Sequence, residues 1–238
     1  MNKRAGKLPA ADRKDAILAA AIPVFARLGR SATTKEIAKA AGVSEALLYK
    51  HFPGKEALYA ELESHCVEAN AIGGRLLEGA TPSTATLVTG VAVLVQAVFP
   101  GVGAQQSHEN TKRLVTLSLL NDGRFAKAFL DRHVKPWIGV FDLSLRAAAA
   151  AGDMHEGVPV GAPEIWFVHH LANTLHLISL PGAGVVDYGV SQDELVRITV
   201  RFLLRGLGLK HEAIERHYDP DAIEAIFTST SGPAHATH

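Results

Sequence analysis

A four-residue break between two short helical patterns constrains this chain more than any other feature. It lies in TTKEIAKAAGVSEALLYKHFPGK, residues 33–55. Thr33 followed by Glu36 has the spacing of a capping box, in which hydroxyl and carboxylate each satisfy a free backbone donor, so a helix is expected to begin there. Ile37, Ala38 and Ala41 give that helix an apolar stripe. Gly42 supplies the left-handed residue that ends it, and Val43 can tuck beneath the turn. Ser44 then caps a second helix, on which Leu48 and Phe52 lie four apart and face inward. Glu45, Ala46, Leu47, Tyr49, Lys50 and His51 share the remaining faces. The outline is a helix-turn-helix.

The motif coincides with the basic part of a neutral chain. Residues 1–60 hold eleven Lys or Arg against five Asp or Glu, a balance of +6, and residues 61–238 carry −6. Such concentration is the footprint of phosphate contacts. Beyond this, IAKAAGVSEALLYKHFPGKEALY resembles the DNA-binding signature of the TetR family of bacterial transcription regulators, over about residues 12–62. AAGVS alone would be weak, but the LYKHF run followed by KEALY makes the match dense. The resemblance implies DNA contacts from Thr34, Lys35, Ser44, Glu45, Ala46, Leu47, Tyr49, Lys50, His51 and Lys55. Tyr49, His51 and Lys55 match positions that commonly touch backbone phosphates. Leu47 stands where the family often has a small polar residue and Glu45 where it often has a basic one. A leucine can read DNA only by apolar contact, such as with a thymine methyl, and Glu45 can only accept hydrogen bonds.

Composition excludes several other classes. With 47% hydrophobic and 20% charged residues the chain is not disordered. Its apolar stretches, such as residues 87–99, fall short of the roughly 20 needed to cross a bilayer. No membrane partner is expected. The arm at residues 1–11, with Lys3, Arg4 and Lys7, leads into a charged helix and not an apolar signal segment. Cys66, the single cysteine, has no partner for an internal disulfide and fits a reducing compartment. A cytoplasmic location follows as the expectation.

In chain order, the first helix is expected over residues 12–28, with Pro23 bending or breaking it. The motif follows, and a long helix runs from about 55 to 77. Residues 83–99 are apolar on nearly every face, as in a helix buried on all sides. Helices at 107–120, 124–151 (with a kink at Pro136), 164–180 and 191–207 come next, the last opened by a Ser191/Glu194 capping box. A final helical stretch includes 222–227. The expected fold is all-α: a three-helix DNA-binding head at residues 1–54, a helical-bundle body for ligand binding and dimerisation at 55–227, and a tail at 228–238. The pair 164–180 and 191–207 carries more apolar positions than one-sided packing needs. The resemblance makes it the homodimer interface, with Val168, Ala172, Leu175, Leu195 and Phe202 as its candidates. Polar or aromatic groups on the apolar body helices, Gln96, His108, Arg113, Trp137, Trp166 and His170, are candidates for a small-molecule inducer pocket.

Twelve histidines raise a rival reading, an all-α metal sensor or enzyme built on His169 and His176, which lie seven apart on one helical face. Against it, no histidine has Glu three residues before it, no CxxC occurs, and there is no Gly-x-Ser-x-Gly elbow. Neither a catalytic residue, a resident metal nor a cofactor is expected. The implied mechanism is a repressor released by a small molecule, binding a near-palindromic double-stranded operator as a dimer.

Overall fold

The computed structural model describes residues 10–69, 79–99, 106–179 and 185–230. Helices account for the regular structure there; the described residues contain no strand, only an isolated antiparallel bridge between Met154 and Leu209. The chain divides into two compact units: residues 1–73 with 105–134, and residues 74–104 with 135–238. This grouping by compactness differs from a division at residue 54, because the fourth helix and a later segment join the head.

The first unit contains α1 (Ala10–Leu28), a 3₁₀ turn (Gly29–Ser31), α2 (Thr34–Ala40), α3 (Glu45–His51) and α4 (Lys55–Ala69). Ile17, Leu18, Ala21, Val24 and Phe25 recur at helical spacing on α1 and are buried. Phe25 meets the edge of Tyr59 at 5.1 Å between ring centroids. Of the bend or break expected at Pro23, the break does not occur: α1 continues through it. Proline removes a single hydrogen bond, and Val24, Phe25 and Ala26, all buried beyond it, hold the last turns in place. The expected end of α4 at residue 77 lies outside the described residues, as do the arm at 1–9 and the tail from 231.

Chain returns to this unit as α6 (Gln106–Leu119) and α7 (Arg124–Phe129), whose Leu114 and Phe125 are fully buried in the same core as Ile37, Leu48 and Phe52. The single helix expected over 124–151 is in fact three pieces: α7, a π-helical turn (Leu130–Val134) and α8 (Lys135–Ala150). Pro136 accounts for it. Its ring would collide with the carbonyl four residues back in a regular α-helix, and a wider π turn just ahead relieves the clash.

The second unit is organised around α5 (Thr84–Val98), which is capped by Ser83 and buried on most faces. The helices α8, α9 (Ala162–Ser179), α10 (Gln192–Gly206), α11 (His211–His217) and α12 (Pro220–Thr230) all pack on it. Gly90 is the point of closest approach: a Cβ there would stand 2.3 Å from Cε1 of Phe141 on α8. At the start of α5, Thr84 Oγ1 donates to Asp153 Oδ2 at 2.7 Å, and Arg216 donates to Oδ1 at 3.1 Å. Lys210 Nζ donates to the carbonyl of Gly152 at 2.7 Å. These bonds tie α11, which was not expected from sequence, to the loop after α8. Ser191 caps α10 through the amide of Glu194, so half of the anticipated capping box forms.

Candidate nucleic-acid interface

Local chemistry builds the motif as its residues require. The Thr33 hydroxyl accepts from the Glu36 amide at 3.2 Å, and the Glu36 carboxylate accepts from the Thr33 amide at 2.9 Å and from its hydroxyl at 2.7 Å. Those bonds hold the Glu36 carboxyl below its ordinary range. Gly42 takes φ +64°, which lets the Val43 amide reach back to the carbonyl of Ala38 at 3.0 Å and close α2. Ser44 Oγ accepts from the Leu47 amide at 3.2 Å and starts α3. With Leu48 and Phe52 buried, α3 is fixed in rotation, and Glu45, Ala46, Tyr49 and Lys50 are left exposed.

Three of the candidate contacts are joined to one another. Thr34 Oγ1 donates to Glu45 Oε2 at 2.9 Å and accepts from the Tyr49 hydroxyl at 3.3 Å. The carboxylate of Glu45 is thereby held to the start of α2. Lys35 is exposed, while Leu47 and His51 are half-buried. Lys55, at the first position of α4, gives one donor to the carbonyl of Arg30 at 2.8 Å.

A residue not anticipated from sequence ties the unit together. Arg30 donates to Glu56 at 2.7 Å and to Asp122 at 3.5 Å, and its guanidinium lies 4.7 Å above the ring of Tyr59. No local spacing announces these partners, which lie on α4 and in the turn between α6 and α7. Cys66 is buried, and burial pushes its thiol up to about 11. Burial likewise brings Lys112 down to about 8, against an opposing effect of Glu109.

Residues 17–62, which carry this geometry, match the family model described as bacterial regulatory proteins, tetR family. The head is similar to that family's DNA-binding segment. Solved structures agree in fold. A bacterial regulatory protein in the tetR family from Rhodococcus RHA1 superposes with TM-score 0.58 at 20% identity, covering 83% of this chain and 98% of its own. The regulator FadR from Bacillus subtilis, solved with stearoyl-CoA, gives 0.56 at 17% identity over 81% and 98%. The ketosteroid regulator KstR2 of Mycobacterium tuberculosis gives 0.55 at 18% over 87% and 99%. At these identities the likeness establishes the shared all-α fold. The comparison with curated proteins returns no match. No helix among the described residues is long and apolar enough to cross a membrane.

Among the described residues, the body candidates are not brought into one pocket. Gln96 borders a cleft with Asp193, Arg197, Tyr218 and Glu224. Arg113 belongs to the first compact unit and pairs with Glu109 at 3.1 Å. The side chain of His108 lies outside the described residues. Trp137 is buried against the edge of Phe141, and among the described residues neither its Nε1 nor the buried Ser144 Oγ two turns along the same face finds a partner. Trp166 stacks on His170.

Of the dimer candidates, Val168 and Ala172 are buried inside the subunit. Leu175 and Leu195 are half-buried, and Phe202 is 59% exposed. The apolar side chains left most open on these helices are Phe167 at 65%, Phe202 and Ile198 at 43%. An all-apolar pattern on α9 could not separate core positions from outward ones. His176 is buried, and His169 lies against His170.

Proposed function

We propose that the chain is a sequence-specific DNA-binding transcription regulator, a repressor acting as a homodimer on a near-palindromic operator and released by a small molecule. The observation that carries this reading is the face of α3: Glu45, Ala46, Tyr49 and Lys50 stand exposed on a helix whose opposite side is locked by Leu48 and Phe52. A recognition helix needs that arrangement, with a rigid seat and reading side chains free of the core. Lys35, Lys50 and Lys55 supply positive charge, and His51 a ring N–H, for positioning on phosphates. Leu47 offers apolar contact to a thymine methyl, and Glu45, held by Thr34, an acceptor for a cytosine amino group.

The dimer surface in this reading is formed by Phe167, Ile198 and Phe202, with Leu175 and Leu195 at its margins. In a two-fold dimer the same patch meets itself. An inducer would enter the α5/α8 region, where the Trp137 indole N–H and the Ser144 hydroxyl await partners, so its chemistry is apolar with neutral hydrogen-bonding groups. The protein is not an enzyme in this reading and works in the cytoplasm.

Selection of bound sequences from a random DNA pool tests the function. Enrichment of a two-part, near-symmetric site, weakened when uracil replaces a half-site thymine, supports it. A pool that stays random at low salt would overturn it.

A further inference from the structure

We propose that His169 and His170 form a chelating site, one per subunit, for a divalent transition-metal ion of the cobalt, nickel, copper and zinc group. Their Nδ1 atoms lie 3.4 Å apart. Two imidazole nitrogens bound about 2.0–2.1 Å from one tetrahedral ion must stand about 3.3–3.4 Å from each other, so the pair already holds the bite distance. Without an ion the two nitrogens stand at hydrogen-bond distance, one donating to the other, and a bound ion would take the place of that proton.

Ring orientation is set by Trp166. Its indole stacks on His170 at 5.7 Å with planes 24° apart, and meets His169 edge-on at 6.0 Å. The two imidazoles, 5.4 Å apart at 70°, are thus fixed by one aromatic neighbour on their own helix. Orientation of ligating imidazoles by neighbours of this kind raises affinity, since less ring freedom is lost on binding. His170 is exposed and His169 half-buried, which leaves an approach from solvent.

The donor set selects the ion. Imidazole nitrogens favour zinc, copper and nickel, whereas calcium and magnesium take oxygen ligands. Among the described residues no cluster of three or more His, Cys, Asp or Glu completes the shell. The other coordination positions are left to water. This inference does not rest on the regulator reading, and either can fail without the other.

Trp166 makes the site report on itself, because a copper or nickel ion held by its stacking partner quenches indole emission. The experiment titrates Cu²⁺ into the full chain and follows tryptophan fluorescence, in the wild type and in Trp137→Phe, where Trp166 is the sole tryptophan. The expected result is saturable quenching at one equivalent per subunit, reversed by chelator and competed by non-quenching Zn²⁺. His169→Gln and His170→Gln should each weaken it at least about tenfold, as loss of a direct ligand must match loss of an outer-shell one. His155→Gln, at an exposed histidine elsewhere, should leave it unchanged. Absence of saturable quenching in the wild type would overturn the site, as would His169→Gln and His170→Gln curves that superimpose on it. Because His170 is exposed, its glutamine variant folds whether or not Trp137→Phe does.

Discussion

The Lys55 ammonium carries three donors and gives one to the carbonyl of Arg30, which leaves two for a phosphate. Lys55→Ala should weaken binding to every DNA sequence alike and lower the salt dependence by about one unit of slope; equilibrium binding across a salt series measures both. A change confined to one base position would assign it a reading role instead. Lys112 makes a different demand. Burial lowers its ammonium from 10.5 to about 8, so between those values the unfolded chain binds more protons and stability rises with pH. Below pH 8 both states are charged and the full cost of burying the charge is present. Lys112→Met should therefore flatten the rise of stability with pH between 8 and 10.5. Thermal melts of both proteins across that range check it. Thr33, Gly42 and Ser44 could be placed from sequence because each acts on backbone within a few residues of itself. Arg30 and the His169–His170 pair could not. The first depends on partners far along the chain, and the second on rotamers that a neighbouring ring selects.

At the level of elements, α5 illustrates what spacing can and cannot convey. Its burial on most faces was readable from a segment that is apolar on nearly every face, but the helix it must admit was not. Gly90 answers that. Alanine there would gain about 1 kcal/mol of helix propensity. Its Cβ would also meet Phe141 Cε1 at 2.3 Å, and overpacking of a filled core costs about 1–3 kcal/mol. The clash should win, so Gly90→Ala lowers the melting temperature and the added change Phe141→Leu restores part of the loss. A melting temperature that rises in Gly90→Ala alone would mean that α5 and α8 slide apart without cost. The π turn before α8 belongs to the same lesson: Pro136 announced a disturbance, while the form it took depended on where the next turn could widen.

For the whole molecule, the two faces of α9 and α10 separate two kinds of damage. Val168 is buried in the subunit, so Val168→Asp should unfold it. Ile198 and Phe202 are exposed, so Ile198→Glu with Phe202→Glu should leave a helical, folded chain that sediments as a monomer. A dimer of unchanged stability in that double variant would remove the proposed surface. The helix-turn-helix was legible because its caps, break and charge fall within one short segment. The division into compact units was not, since α6 and α7 join the first unit through Leu114 and Phe125, whose apolar spacing is that of any helix.

Arg30 reaches Glu56 across 26 residues and Asp122 across 92. A contact of that span gains nothing until both intervening loops have closed, so its contribution arrives late in folding. Interactions absent from the transition state act on the rate of unfolding and leave the rate of folding nearly alone. Arg30 therefore governs how long the folded head lasts, not how quickly it is made. Arg30→Ala should shorten that lifetime a few-fold in stopped-flow unfolding while refolding keeps its pace, and equal slowing of refolding would place the clamp among the first contacts to form.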